Sequence, residues 1–255
     1  TMRRLEIVLL ETGVGGNLGS ICRALKTLGF PPPLLINPKN GILSSPEARR
    51  LAHGAREYLD HAGSLESVDE LFRSFDFVIG TTDAHRRTVG ERVEPGRLPA
   101  LLESKGGSVG RAALLFGSEA RGLSSEILSR CDLVSTLPLA TSHPSLNLAQ
   151  AVLIYAYELS PLRGGTGAAE SLLAGHSPPA EAVRKPGHPP ATAGHRALRR
   201  RLEERLAAAQ ANSALIGRVA ERVALLCEGD VALAHSVLTA VERGAALLRE
   251  QDTSE

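Results

Sequence analysis

The chain has no tryptophan, one methionine and an aromatic content of only 3% in 255 residues. Its core must therefore be aliphatic, and no interleaved aromatics suggest a base-stacking platform. Cysteine is scarce as well. Cys22, Cys131 and Cys227 are far apart and odd in number, and no CxxC pair exists, so neither a disulfide framework nor a zinc site is suggested. A reducing cytoplasm is the simple expectation, and no metal is expected. Long apolar runs are missing too: Leu5-Glu6-Ile7-Val8-Leu9-Leu10 is too short for a membrane span or a secretory signal core. A soluble protein with no membrane association is expected, and Thr1 ahead of Met2 reads as an added residue. Nor is there a charge excess, since 29 Lys and Arg face 28 Asp and Glu for a net charge of +1. Global electrostatics thus does not announce a nucleic-acid partner, although a local basic patch still can.

What is present is alternation. Short apolar runs suited to buried strands occur at Glu6–Glu11, Pro33–Asn37, Asp76–Gly80, Arg111–Phe116 and Leu133–Leu137. Helical patterns lie between and after them, at Leu18–Leu28, Ser45–Leu51, Ser67–Phe75, Ser125–Cys131 and Leu146–Leu159. This order predicts an α/β domain over residues 1–160, with a mainly parallel sheet covered on both faces. Residues 161–194 are punctuated by proline and glycine and predict a flexible linker. Residues 195–255 return to helical spacing, through Leu198, Leu202, Leu206 and then Leu215, Val219, Val223, and predict a small helical C-terminal extension.

Four segments carry candidate chemistry. The turn Thr12-Gly13-Val14-Gly15-Gly16-Asn17-Leu18-Gly19 opens the first helix, where free backbone N–H groups suit an anion. A dinucleotide site is a rival to a plain structural turn, but its third glycine would have to fall at Leu18 and its acidic ribose ligand is absent from Ile36-Asn37-Pro38-Lys39. Arg23, on the same helix, by itself reads as a solvated arginine. Later, Phe116-Gly117-Ser118-Glu119 ends a strand, Leu137-Pro138-Leu139 ends the next, and Pro144-Ser145-Leu146-Asn147-Leu148-Ala149 opens the last helix. Ser145 sits where an N-cap belongs, and Asn147 in the first turn is also suited to capping.

In this order and spacing, Asn17-x-Gly19-x-x-x-Arg23, Gly117-Ser118-Glu119-x-x-Gly122 and Ser145-Leu146-Asn147-Leu148-Ala149 resemble the three motifs of the SpoU (TrmH-class) RNA 2′-O-methyltransferases of the SPOUT superfamily. The resemblance covers about residues 5–159. Ile7-Val8-Leu9-Leu10-Glu11-Thr12, Arg23–Gly29 and Gly80-Thr81-Thr82 followed by Arg86-Arg87-Thr88 look particularly like the TrmJ-type tRNA methyltransferases.

The resemblance implies a SPOUT-type parallel sheet with a C-terminal trefoil knot, S-adenosylmethionine as cofactor, tRNA as substrate and a homodimer whose RNA site lies near the subunit interface. It implies methylation of a tRNA ribose at anticodon-loop nucleotide 32, a cytidine with uridine as a second target. The alternatives are ribosomal RNA or another tRNA position, and in other classes an NAD-dependent oxidoreductase or an RNA-binding protein without catalysis. The implied catalytic residues are Arg23, Ser145, Asn17, Asn147 and Glu119. The implied cofactor contacts are Thr81, Thr82, Gly117, Ser118, Glu119, Gly122, Leu137, Leu139, Ser145 and Leu146.

A ribose hydroxyl is a poor nucleophile until its proton is removed. A guanidinium hardly deprotonates, so the expected role of Arg23 is to lower the cost of forming the alkoxide. Ser145 would bond the hydroxyl or relay its proton, Asn17 and Asn147 would position ribose and cofactor, and Glu119 would organise Arg23 or nearby backbone amides. Arg86 and Arg87, with Arg196, Arg199, Arg200 and Arg201 of the extension, are the expected RNA contacts, a solvated helix face being the other reading of the second group.

Overall fold

The computed structural model describes residues 4–83, 92–140, 146–163 and 194–252. Seven strands form one sheet: β1 (Arg4–Leu10), β2 (Leu34–Ile36), β3 (Gly63–Leu65), β4 (Phe77–Thr82), β5 (Arg92–Val93), β6 (Arg111–Phe116) and β7 (Leu133–Thr136). They run in the order β3-β2-β1-β6-β4-β7-β5, every pair parallel. A parallel sheet exposes apolar side chains on both faces and must be covered on both. Helices α1 (Gly15–Thr27), α2 (Pro46–Leu51), α3 (Arg56–Asp60), α5 (Leu98–Ser104) and α7 (Leu148–Leu159) contribute to the core on one face, around Ile7, Leu9, Leu18, Phe77, Ile79, Leu114 and Tyr155. Helices α4 (Val68–Ser74) and α6 (Ser125–Arg130) close the other, around Val8, Val78, Leu115, Leu123 and Leu128.

The five expected strands are present with ends shifted by at most two residues. Two further strands, β3 and β5, are three and two residues long, too short to show as apolar runs. Helices α3 and α5 are likewise additional. The first helix begins at Gly15 rather than Leu18. Its glycines serve packing: a Cβ on Gly19 would lie 2.3 Å from the carbonyl oxygen of Ala48, so α2 rests directly on the α1 backbone.

Three helices follow at the C-terminus, α8 (His195–Ala208), α9 (Ser213–Leu225) and α10 (Glu228–Asp252). Leu198, Val223 and Val231 form their common core, and Ala224 joins the main core of the domain. The expected linker of 161–194 falls almost entirely outside the described residues. The extension is pinned to the domain by two polar clusters. Asp132 accepts from the backbone N–H of Val78 at 2.7 Å, from Arg196 at 2.8 Å and from Arg199 at 3.4 Å. Arg196 also donates to the Phe72 carbonyl, and Arg199 to that of Cys131.

The second pin is Lys105, fully buried, whose Nζ donates to the carbonyls of Ala224 and Leu226 and to Nε2 of His195. The Ser108 hydroxyl donates to the Lys105 carbonyl, so the ring Nδ1–H of His195 donates to Ser108 Oγ at 3.1 Å. That assignment leaves Nε2 a bare acceptor 2.9 Å from Leu226 O, and only a proton-bearing Lys105 bridges two such acceptors. Lys105, Ser108 and Asp132 all lie just before a strand begins, so the extension docks where the strands start. A six-residue strand rises about 20 Å, which sets the docked edge apart from the edge where the strands end.

Burial, and secondarily the Lys105 charge, hold the His195 imidazole down at about 4 from an ordinary 6.5. Between those values the unfolded chain takes up a proton that the folded one refuses. The stabilisation is therefore complete above about pH 6.5 and declines as pH falls toward 4. Its full span is about 3 kcal/mol. Urea denaturation at pH 7 and pH 4 should show this loss in the wild type and a smaller one in His195→Gln. Equal losses in both proteins would rule out His195 as the sensitive group.

Candidate active site

At the end of β1 the chain turns sharply, with Glu11 in the left-handed region at φ 54°. The turn buries Thr12 completely and presents its hydroxyl and the next N–H to one carboxylate. Thr12 Oγ1 donates to Glu119 Oε1 at 3.1 Å, Gly13 N–H to Oε2 at 3.1 Å and Asn17 Nδ2 to Oε1 at 2.9 Å. Asn17 Oδ1 accepts from Asn147 Nδ2 at 2.7 Å. Asn147 is the N-cap of α7: its Oδ1 accepts from Ala149 N–H at 2.8 Å, and Gln150 reaches back to its own N–H. The cap expected at Ser145 is therefore Asn147. One chain of hydrogen bonds joins residues 12–17, 119 and 147–150, bringing together the ends of β1 and β6 and the start of α7.

Burial alone would push the Glu119 carboxyl up. Hydrogen bonds from Asn17, its own backbone N–H, Gly13 and Thr12 outweigh that and hold it below the usual carboxylate range. Glu119 is thus an ionised organiser of the β1–α1 turn and not a proton donor at neutral pH. It holds the Gly13 N–H at the head of the glycine turn, and Gly15 and Gly19 face Ser45 and Ala48.

Glu119 sits on a loop folded back on itself. Ser118 bridges Gly122, and Gly122 donates to the Ser118 carbonyl at 2.8 Å with φ 63°. A Cβ on Gly117 would lie 2.1 Å from the Gly122 carbonyl carbon, so only glycine permits this closure. Thr81 and Thr82 end β4 beside it. The Thr81 hydroxyl is already committed to the Leu115 carbonyl at 3.0 Å. Leu137, Leu139 and Leu146 are half-buried around the same strand ends.

Arg23 stands apart from this cluster. Six residues separate it from Asn17, which rotates it by about 240° around the helix axis. It is exposed, and among the described residues nothing pairs with its guanidinium. The expectation that Glu119 organises Arg23 is not met; Glu119 organises a backbone amide, a hydroxyl and Asn17. Ser145, Arg86 and Arg87 lie outside the described residues. The extension's arginines are the larger correction. Arg196 and Arg199 have side-chain exposures of only 21% and 20%, with Asp132 pairing both and Glu203 pairing Arg199 at 2.8 Å. Arg201 is bound by His235, Thr239 and Glu242. Arg200 alone of the four faces water, 3.7 Å from Glu204. Among the described residues no group of three or more His, Cys, Asp and Glu is placed to hold a metal ion, and no helix is long and apolar enough to cross a membrane.

A parallel α/β sheet with three sequence-distant loops knitted together at its strand ends is of the class that binds ligands at those ends. The sequence pattern of the SpoU rRNA methylase family matches residues 4–157. The chain is 30% identical to an uncharacterised tRNA/rRNA methyltransferase, LasT, of Escherichia coli K12, over 94% of its own length and 98% of LasT. It is 34% identical to the tRNA (cytidine/uridine-2′-O-)-methyltransferase TrmJ of Pectobacterium atrosepticum over 61% of this chain and 63% of that one. In fold it resembles a probable methyltransferase from Bordetella pertussis, at 26% identity and a TM-score of 0.58 over 64% of this chain and 97% of that one. A further likeness is to TrmJ of Zymomonas mobilis at a TM-score of 0.60, over 93% and 98% of the two chains, its 23% identity supporting the fold alone. The chain belongs to the SpoU rRNA methylase family. It is an RNA methyltransferase that uses S-adenosylmethionine.

Proposed function

We propose that this protein methylates the ribose 2′-hydroxyl of a tRNA anticodon-loop nucleotide, position 32, taking cytidine and also uridine. The observation that carries the reading is the hydrogen-bonded chain Thr12–Glu119–Asn17–Asn147, which unites all three motif segments at one edge of the sheet. S-adenosylmethionine, when bound, supplies the electrophilic methyl group. The residues to hold it are Thr82, Gly117, Ser118, Gly122, Leu137, Leu139, Ser145 and Leu146. An orphaned buried hydroxyl on Thr82 fits this role; the committed hydroxyl of Thr81 leaves only its backbone for it.

The protein's own part is to orient the ribose and stabilise its developing negative charge. Asn17 and Asn147 fix each other's amides, and Glu119 fixes Asn17, so the polar edge is rigid before substrate arrives. Arg23, whose guanidinium is unpaired among the described residues, meets the ribose hydroxyl or a neighbouring phosphate and lowers the cost of the alkoxide. Ser145 bonds the same hydroxyl. Arg86, Arg87 and the exposed Arg200 contact RNA phosphates.

The knot belongs to this reading, as does the division into a catalytic domain of 1–160 and an extension of 195–255. So does a homodimer in which α1 faces the partner. Val14 at the start of α1 and Leu153, Ile154 and Tyr157 on the adjoining α7 are 43%, 47%, 36% and 67% exposed, apolar surface that a second subunit would cover.

Incubation with bulk tRNA, ribosomal RNA and labelled cofactor, followed by mapping of methylated riboses, tests the proposal, with light scattering reading the dimer under the same conditions. Label at nucleotide 32 is the expected result. Label in ribosomal RNA or at another tRNA position would replace the substrate while keeping the chemistry.

A further inference from the structure

We infer that Thr136, together with Thr82, forms a paired hydroxyl contact for the neutral adenosine part of the cofactor. The inference rests on the methyltransferase reading and adds a residue that none of the three motifs contains. Thr82 and Thr136 are the last residues of β4 and β7 and are register partners. Neighbouring strands lie about 4.8 Å apart and in-register side chains point to the same face, so the two hydroxyls stand side by side. Both Oγ1 atoms are buried, and neither has a hydrogen-bond partner among the described residues. Thr136 as a whole is only 9% exposed.

A buried hydroxyl without a partner is costly, and two at adjacent positions on the binding edge point to a ligand that satisfies them. Their neighbourhood selects its chemistry. Gly80, two residues below Thr82 on the same face, packs against Cys131 and Leu128. Extending the β4–β6 register by two residues sets Gly117 level with Thr82, beside the folded-back loop. The floor is the apolar layer of Leu115, Leu123 and Leu128. A carboxylate or ammonium would be poorly solvated there, whereas an uncharged nucleoside offers donors and acceptors to two hydroxyls that can each do both.

The test measures binding of S-adenosylhomocysteine and of 5′-methylthioadenosine, which lacks the amino-acid part, by calorimetry. The proteins are the wild type, Thr82→Val, Thr136→Val and Thr136→Ser. Each valine variant should weaken both ligands about 5- to 10-fold, and the serine variant should bind as the wild type does. The ligand-free valine variants should melt about 2–4 °C higher, because an unsatisfied buried hydroxyl has been removed. That opposition of sign separates a binding role from a structural one. Unchanged affinity, weakening confined to S-adenosylhomocysteine, or weaker binding with a lower melting temperature would each overturn the inference. A wild type that binds neither ligand would defeat the cofactor reading itself, and the inference with it.

Discussion

Arg23→Ala is expected to lower methyl transfer to RNA by about 10²–10³, the loss typical when one charge-stabilising donor is removed from a reacting centre. Cofactor affinity and melting temperature should stay at wild-type values. The combination follows from position. Arg23 is exposed on α1 and supports no part of the Glu119–Asn17–Asn147 chain, so truncation removes charge without disturbing the fold. Arg23→Lys should recover only part of the rate, because an ammonium keeps the charge but loses the planar fork. Single-turnover kinetics with saturating cofactor reads the effect. A folded Arg23→Ala protein with full activity would exclude the proposed role and return Arg23 to a solvated surface residue.

Asp132→Ala should be the most damaging substitution outside the site, at about 3–5 kcal/mol and a fall in melting temperature on the order of 10 °C. Asp132 is 8% exposed and accepts from the Val78 N–H, Arg196 and Arg199. Its removal leaves the largely buried Arg196 guanidinium with only the Phe72 carbonyl, leaves Arg199 with Glu203 and the Cys131 carbonyl, and strips a strand N–H of its acceptor. Arg200→Ala, on the exposed side of the same helix, is the control and should change stability by no more than about 0.5 kcal/mol. Thermal melts of the two variants decide between a clamp and a loosely tethered module. A loss below about 1 kcal/mol in Asp132→Ala would show that the extension does not depend on this pin.

These two substitutions mark the extremes of what could be read in advance. Arg23, Asn17, Glu119 and Asn147 were legible as motif residues, and the structure confirms that Asn17, Glu119 and Asn147 meet. Their division of labour was not legible. Glu119 was expected to serve Arg23 or nearby amides, and only the second holds, because rotation around α1 carries Arg23 away from the carboxylate. The cap of α7 moved from Ser145 to Asn147, since local sequence offers two capping residues and the tertiary contact with Asn17 holds one of them. The arginines of α8 looked like one basic face. Three of them turn inward to Asp132 or to α10, partners more than thirty residues away in sequence.

By itself the sequence determined five of the sheet's seven strands and its main helices, because strand and helix periodicities are local, and it marked the motif residues through their resemblance to a known family. Only the tertiary structure decided that the extension docks at the edge where the strands start, that Glu119 binds Thr12, Gly13 and Asn17 around the first turn, and that Thr82 and Thr136 stand side by side without partners among the described residues. Each of these depends on which distant residues become neighbours. In a parallel sheet that is set by strand order, and the order β3-β2-β1-β6-β4-β7-β5 leaves no periodic trace along the chain.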